Sequence, residues 1–161
     1  MKQFCIIACA LYEKIIKEMI ESAKSIAVDN QIDITDVFWA PGSLEIPLIL
    51  TSDLENKNLR KKYSGIIIFG LIKKGKTKHG EILAHQVTNK ILGMQLKYKI
   101  PMAVSIIGPC STMNHAKNKA NRVAKKAVLL LKSIELKKNI VRGESASIKG
   151  MMRELTVGIS R

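Results

Sequence analysis

Two stretches of this chain are apolar almost without a break: Phe4 to Ala10, and the run inside Ser64 to Gly70. Runs this short and this uniformly hydrophobic suit strands buried on both faces, which have no solvent side to alternate toward. Such strands need a covering layer on each face. The segment between them supplies one. Glu13 to Val28 reads as a helix, with Ile15, Ile16, Met19, Ile20, Ala23 and Ile26 roughly on one stripe.

The alternation continues. Val37 to Ala40 reads as a second strand, closed by Pro41-Gly42. Ser43 is placed to cap a helix from Leu44 to about Leu54, with Pro47 tolerated in its first turn. Asn56 to Lys62 reads as a polar, basic connection. His79 to Lys97 is a helix, Met102 to Ile107 a fourth strand, and Asn114 to Leu136 a last long helix. Strands alternating with helices predict an α/β fold: a four-stranded parallel sheet with helices on both faces, in three layers. The domain spans residues 1–139. The basic tail 140–161 could frame a short helix near Ile148 to Leu155 and receives no function.

In sheets of this kind ligands bind at the carboxyl ends of the strands. Four connections lie on that edge: Leu11–Tyr12, Pro41–Glu45, Leu71–Thr77 and Gly108–Met113. The third is the most informative. Lys73, Lys74, Lys76 and Lys78 are interleaved with Gly75 and Thr77, directly ahead of a helix that starts at His79. A lysine run is ordinarily just a solvated loop. Ahead of a helix N-terminus, with free backbone N–H groups and a hydroxyl, the same residues suit an anion such as phosphate. His79 could move protons beside it, and Glu81 could orient it or sit on the adjacent edge. The loop lacks the spacing of a nucleotide-hydrolysing P-loop.

Metal binding is not indicated. His79-x-Glu81 with Pro109-Cys110 partly matches a zinc deaminase signature, but Met113 stands where that signature needs its second cysteine. His85 is about 240° around the helix from His79. Trp39, Met94, Met102 and the cysteines read as core, and His115 as a surface residue near the same edge.

The charge balance, +14 over 161 residues, would attract nucleic acid, acidic membranes or phosphorylated small molecules. With 4% aromatic residues, stacking platforms for single-stranded nucleic acid are not expected. No apolar run reaches membrane-span length. The opening residues faintly resemble a signal peptide, but the apolar stretch is short and reads as a buried strand. Three cysteines, Cys5, Cys9 and Cys110, with no Cys-x-x-Cys pair, fit a reduced, cytoplasmic setting.

Two motifs together carry a family resemblance. Trp39-Ala40-Pro41-Gly42-Ser43-Leu44-Glu45-Ile46-Pro47 resembles the Val-Pro-Gly-Ala/Ser-x-Glu-Ile-Pro motif of lumazine synthases. Gly70 to Glu81 resembles that family's Gly-x-x-Ile-Arg-Gly-x-Thr-x-His-aromatic-Asp/Glu segment, and order and spacing agree from about Phe4 to Leu136. The resemblance implies a flavodoxin-like sandwich. It also implies condensation of 5-amino-6-ribitylaminouracil with 3,4-dihydroxy-2-butanone 4-phosphate to 6,7-dimethyl-8-ribityllumazine, with loss of phosphate and water. No metal or organic cofactor is implied. Homo-oligomers built on pentamers are, with sites between neighbouring subunits and riboflavin synthase as a candidate partner. Neither membrane nor nucleic acid is implied as a partner.

Residue by residue, the resemblance makes His79 and Glu81 the catalytic pair. Gly75, Lys76 and Thr77 become the phosphate loop, with Lys119 in place of an arginine that binds the phosphate from the neighbouring subunit. The substrate-binding set is Leu11, Tyr12, Gly42, Ser43, Leu44, Glu45, Leu71, Ile72, Lys73 and Val104, with Leu71 to Lys73 acting largely through their backbone. Four family aromatics are replaced: by Leu11 (with Tyr12 adjacent), Leu44, Gly80 and Val104. These losses make weaker substrate binding, or a stacking role for Tyr12, an expectation. They also leave a catalytically weak binding or shell-forming scaffold of the same fold as the alternative.

Overall fold

The computed structural model describes residues 2–141. Its elements in chain order are β1 (Lys2–Cys9), α1 (Glu13–Asp29), β2 (Ile32–Ala40), a 3₁₀ turn (Ser43–Glu45), α2 (Ile46–Glu55), α3 (Lys57–Lys62), β3 (Gly65–Lys73), α4 (His79–Tyr98), β4 (Met102–Cys110) and α5 (Met113–Val141). The expected tail helix near Ile148 to Leu155 lies outside the described residues.

All strand pairs are parallel, in the order β2-β1-β3-β4. Helices α1 and α5 pack together on one face, and α2 and α4 on the other, with α3 against α2. This is the three-layer, flavodoxin-like arrangement expected from the alternation. The inner strands β1 and β3 carry the two apolar runs. Phe4, Ile6, Ile7, Ile66, Ile67, Ile68 and Phe69 are fully buried. Each stabilises the fold by about 1.5–3 kcal/mol relative to exposure.

Several local expectations are corrected. Strand β2 is longer than Val37 to Ala40, because as an edge strand it carries polar positions (Asp33, Thr35, Asp36) that hide its first half from a hydrophobic pattern. The connection after α2 is partly helical. Asn56 accepts from Asn58 N at 3.0 Å and Leu59 N at 3.4 Å, which caps the six-residue α3. Trp39 is not core. It is 39% exposed near the end of the edge strand. Met94, Met102 and all three cysteines are buried, and the thiols are free. Burial, with Asp53 and Asp36 nearby, pushes the Cys5 thiol up to about 12.

One polar cluster ties the edge strand to the rest. Asp36 Oδ2 accepts from Lys62 Nζ and Thr35 Oγ1, each at 2.6 Å, and from Tyr63 Oη at 2.7 Å. The Lys62 hydrogen bond leads these donors in holding the Asp36 carboxyl down at about 2, against an ordinary 3.8. The unfolded chain therefore takes up this proton at a higher pH than the folded one. The stabilisation is complete above about pH 4 and is lost as pH falls toward 2. Acid denaturation followed by circular dichroism is expected to show this loss, and Asp36→Asn to flatten that limb of the curve. A variant with an unchanged acid limb would contradict the assignment.

Candidate active site

The strand order sets where a ligand would sit. From β1 the chain moves outward to β2 on one side, then returns to place β3 on the other. The carboxyl ends of β1 and β3 flank this change of direction, the usual ligand crevice of such sheets. Leu11 and Tyr12 follow β1. The Lys74–Lys78 loop follows β3.

The exit of β2 crosses toward β3. The 3₁₀ turn touches β1, β3 and α4. Ser43 is buried, and its Oγ donates to Leu71 O at 3.3 Å. This corrects the expectation that Ser43 caps α2: Glu45 is the N-cap and no side chain caps that helix. A Cβ on Gly70 would lie 2.9 Å from Ser43 Oγ, so the glycine makes room for this cross-strand bond. Glu45 folds back over Gly42, where a Cβ would stand 2.8 Å from Glu45 Oε2. Leu44 is 57% exposed.

At the end of β3, Leu71 and Ile72 bury their side chains, so what they offer the rim is backbone. Lys74 N donates to Cys110 O at 2.8 Å, which pins the loop to β4. Lys73 through His79 are exposed. Thr77 Oγ1 accepts from His79 N at a long 3.4 Å, and the N-cap Lys78 contributes no side-chain cap. The first turn of α4 thus keeps unsatisfied N–H groups beside four lysines. His79 and Glu81 are both exposed on that turn. Two residues apart on a helix, they do not face each other.

From the β4 side, Thr112 starts α5 by accepting from His115 N (Oγ1, 3.2 Å) and Ala116 N (backbone O, 3.4 Å). His115 is exposed. Lys119, one turn on, is half-buried. Burial pushes the Cys110 thiol up, and the Lys119 ammonium opposes this.

Not every candidate reaches this rim. Val104 pairs with Ile68 in mid-sheet, six residues and about 20 Å of strand before Cys110. Tyr12 adopts a left-handed backbone (φ 64°) and packs its ring against the core, while Leu11 beside it is 55% exposed. Leu11 and Leu44, not Tyr12, therefore present the open apolar surface at the rim. Two grooves lie away from the rim. One of about 400 Å³ lies along α4 near Thr51 and Tyr98, and one of about 760 Å³ between α1 and α5. Among the described residues, no three His, Cys, Asp or Glu side chains gather as a metal centre. Sequence reading took Gly80 only as a lost aromatic and Gly108 only as the start of a rim connection; what each does for packing depends on backbone atoms from other elements.

A parallel α/β sandwich with a basic loop, a helix N-terminus and a histidine at its topological switch point defines a class of proteins that work on small anionic ligands at strand ends. The model of the 6,7-dimethyl-8-ribityllumazine synthase family matches residues 1–138. The chain is 31% identical to a Staphylothermus marinus protein of that name over 136 residues, covering 81% of this chain and 88% of the relative. It is 30% identical to one from Kosmotoga olearia (77% and 81% covered) and 28% identical to one from Leuconostoc mesenteroides (84% and 88% covered). The chain belongs to the 6,7-dimethyl-8-ribityllumazine synthase family, the transferases that make this intermediate of riboflavin biosynthesis.

Proposed function

We propose that the chain condenses 5-amino-6-ribitylaminouracil with 3,4-dihydroxy-2-butanone 4-phosphate at this rim. The observation that carries the reading is the continuity of the Lys74–Lys78 loop with His79 at the switch point. In this reading, Gly75, Lys76, Thr77 and the first N–H groups of α4 hold the phosphate, and Lys119 on α5 of a neighbouring subunit adds charge. The backbone of Leu71 to Lys73 lines the pyrimidine, and Gly42, Ser43 and Glu45 border the ribityl chain. Leu11 and Leu44 supply apolar cover where aromatic faces are absent. Their positions favour binding by area rather than by stacking, which forgoes about 0.5–1.5 kcal/mol per lost face by analogy with aromatic pairs.

The chemistry needs two substrates held together and protons moved between them. The uracil's amine attacks the ketone carbon and a C–N bond forms. The carbinolamine loses water to give the imine, a C–H proton departs as the phosphate leaves, the resulting enol becomes a ketone, and the ribitylamino nitrogen closes the ring on that carbonyl with loss of a second water. His79 is placed to take and return these protons, with Glu81 as nearby acidic support. The exposure of residues 73–79 fits a homo-oligomer in which a neighbour closes the site. We take that assembly as pentamer-based and cytoplasmic, with riboflavin synthase as a candidate partner.

Mixing the two substrates with the protein and following lumazine fluorescence tests the reading directly. Accumulation of product above the uncatalysed rate is expected, and its absence would leave the weak-scaffold alternative standing. Lys119→Ala should raise KM for the phosphorylated butanone about tenfold, the loss of one charge-assisted contact, with KM for the uracil nearly unchanged. Equal loss for both substrates would remove Lys119 from the phosphate site.

A further inference from the structure

Gly80 occupies the family's aromatic position, and the structure gives it a use. It is the second residue of α4 and is buried. A Cβ there would lie 3.0 Å from Lys73 O, 3.5 Å from Ile72 Cγ2 and 3.7 Å from Pro109 Cβ. On β4, a Cβ on Gly108 would lie 2.1 Å from Ile72 O. Ile72 and Lys73 are thus each approached by a residue that lacks a Cβ. Lys74 N, the next donor along, is already committed to Cys110 O. The chain leaves β3, makes its basic loop and re-enters helix within this clasp, and His79 stands immediately before Gly80.

Glycine is a poor helix former. Its place in the first turn of α4 is accounted for by the approach to Lys73 O, since the residue has no positive φ that would call for it. The atom it approaches is backbone oxygen of a pinned strand end, not the tip of a flexible side chain. Adding a methyl group therefore moves the helix, by a few tenths of an ångström. We propose that Gly80 is a positioning residue: its Cβ-free contact with Lys73 sets where His79 stands over the Lys74–Lys78 loop. The proposal rests on the catalytic reading of His79 given above, and it assigns Gly80 no contact with substrate. Proton transfer and phosphate capture are steep functions of such placement, with about 100-fold lost per ångström in comparable cases.

The experiment compares Gly80→Ala with Gly93→Ala. Both add a better helix former to α4, but a Cβ on Gly93 meets nothing within 4 Å. Three quantities are read: melting temperature, steady-state kinetics with both substrates, and calorimetric affinity for inorganic phosphate. For Gly80→Ala the expected result is a melting temperature close to that of the parent, kcat down about tenfold, KM for the uracil within about twofold, and phosphate affinity several-fold weaker. Gly93→Ala should match the parent in kcat and phosphate affinity. Gly80→Ala with kcat and phosphate affinity both within about twofold of the parent overturns the proposal. So does a Gly80→Ala that fails to fold, or that loses activity only in step with its folded fraction, because Gly80 is then a packing residue. A parent protein that forms no lumazine overturns the catalytic reading instead, and the phosphate affinities of the two variants still decide whether Gly80 positions the loop.

Discussion

Replacing His79 with alanine is expected to slow lumazine formation by about 10²–10⁴-fold, the usual range for a lost general acid–base group. Stability should stay within about 0.5 kcal/mol of the parent, because the residue is an exposed one on the first turn of α4. The two readouts must be taken together. A loss of rate with an unchanged melt assigns the effect to chemistry. Equal losses of both would mean that the first turn itself had come apart. His79→Gln sharpens the result, since glutamine keeps hydrogen-bonding capacity but cannot exchange protons in this range. It should be nearly as slow as the alanine variant. A glutamine variant with near-parental kcat would limit His79 to holding substrate. Unchanged turnover in both variants would remove it from the mechanism.

The largest effect on stability is expected from Gly108→Ala. Two costs coincide there. Gly108 has φ +126°, which an L side chain rarely adopts and which costs about 1–3 kcal/mol. Its Cβ would also stand 2.1 Å from Ile72 O and 3.0 Å from Ile72 C, both backbone atoms of a buried strand. Relief requires β3 and β4 to part at their carboxyl ends. That would break the 2.8 Å bond from Lys74 N to Cys110 O, worth about 0.5–1.5 kcal/mol net. A total of about 3 kcal/mol corresponds to a drop of about 6–12 °C in Tm for a chain of this size. Gly75→Ala is the control, as a Cβ there meets nothing within 4 Å and the residue has no positive φ. Thermal unfolding of Gly108→Ala within about 2 °C of the parent would show that the β3–β4 contact is looser than the distances imply.

Much of this architecture can be read along the chain, for an identifiable reason. Strands β1 and β3 are buried on both faces, so each leaves an unbroken apolar run, and their ends come within a few residues of the expected ones. The amphipathic stripe of α1 and the Lys/Gly/Thr-to-histidine junction before α4 are equally local features. Readings failed where a residue's partner is distant or its signal is diluted. Ser43 looks like a helix cap because caps are local, yet its hydroxyl is claimed by Leu71, 28 residues away. Trp39 looks like core because it is large and apolar, but it falls near the end of an edge strand.

Burial periodicity and turn chemistry are properties of neighbouring residues, so the linear order of amino acids was enough to specify the alternating elements, the basic loop and the histidine after it. Strand order is a property of which surfaces pack best once everything has collapsed, and no window of residues encodes it. Only the folded arrangement β2-β1-β3-β4 brings the exits of β1 and β3 side by side. Only there do Gly80 and Gly108 meet the backbone of Ile72 and Lys73, because the constraint is an atom that glycine lacks, set against carbonyls contributed by another strand.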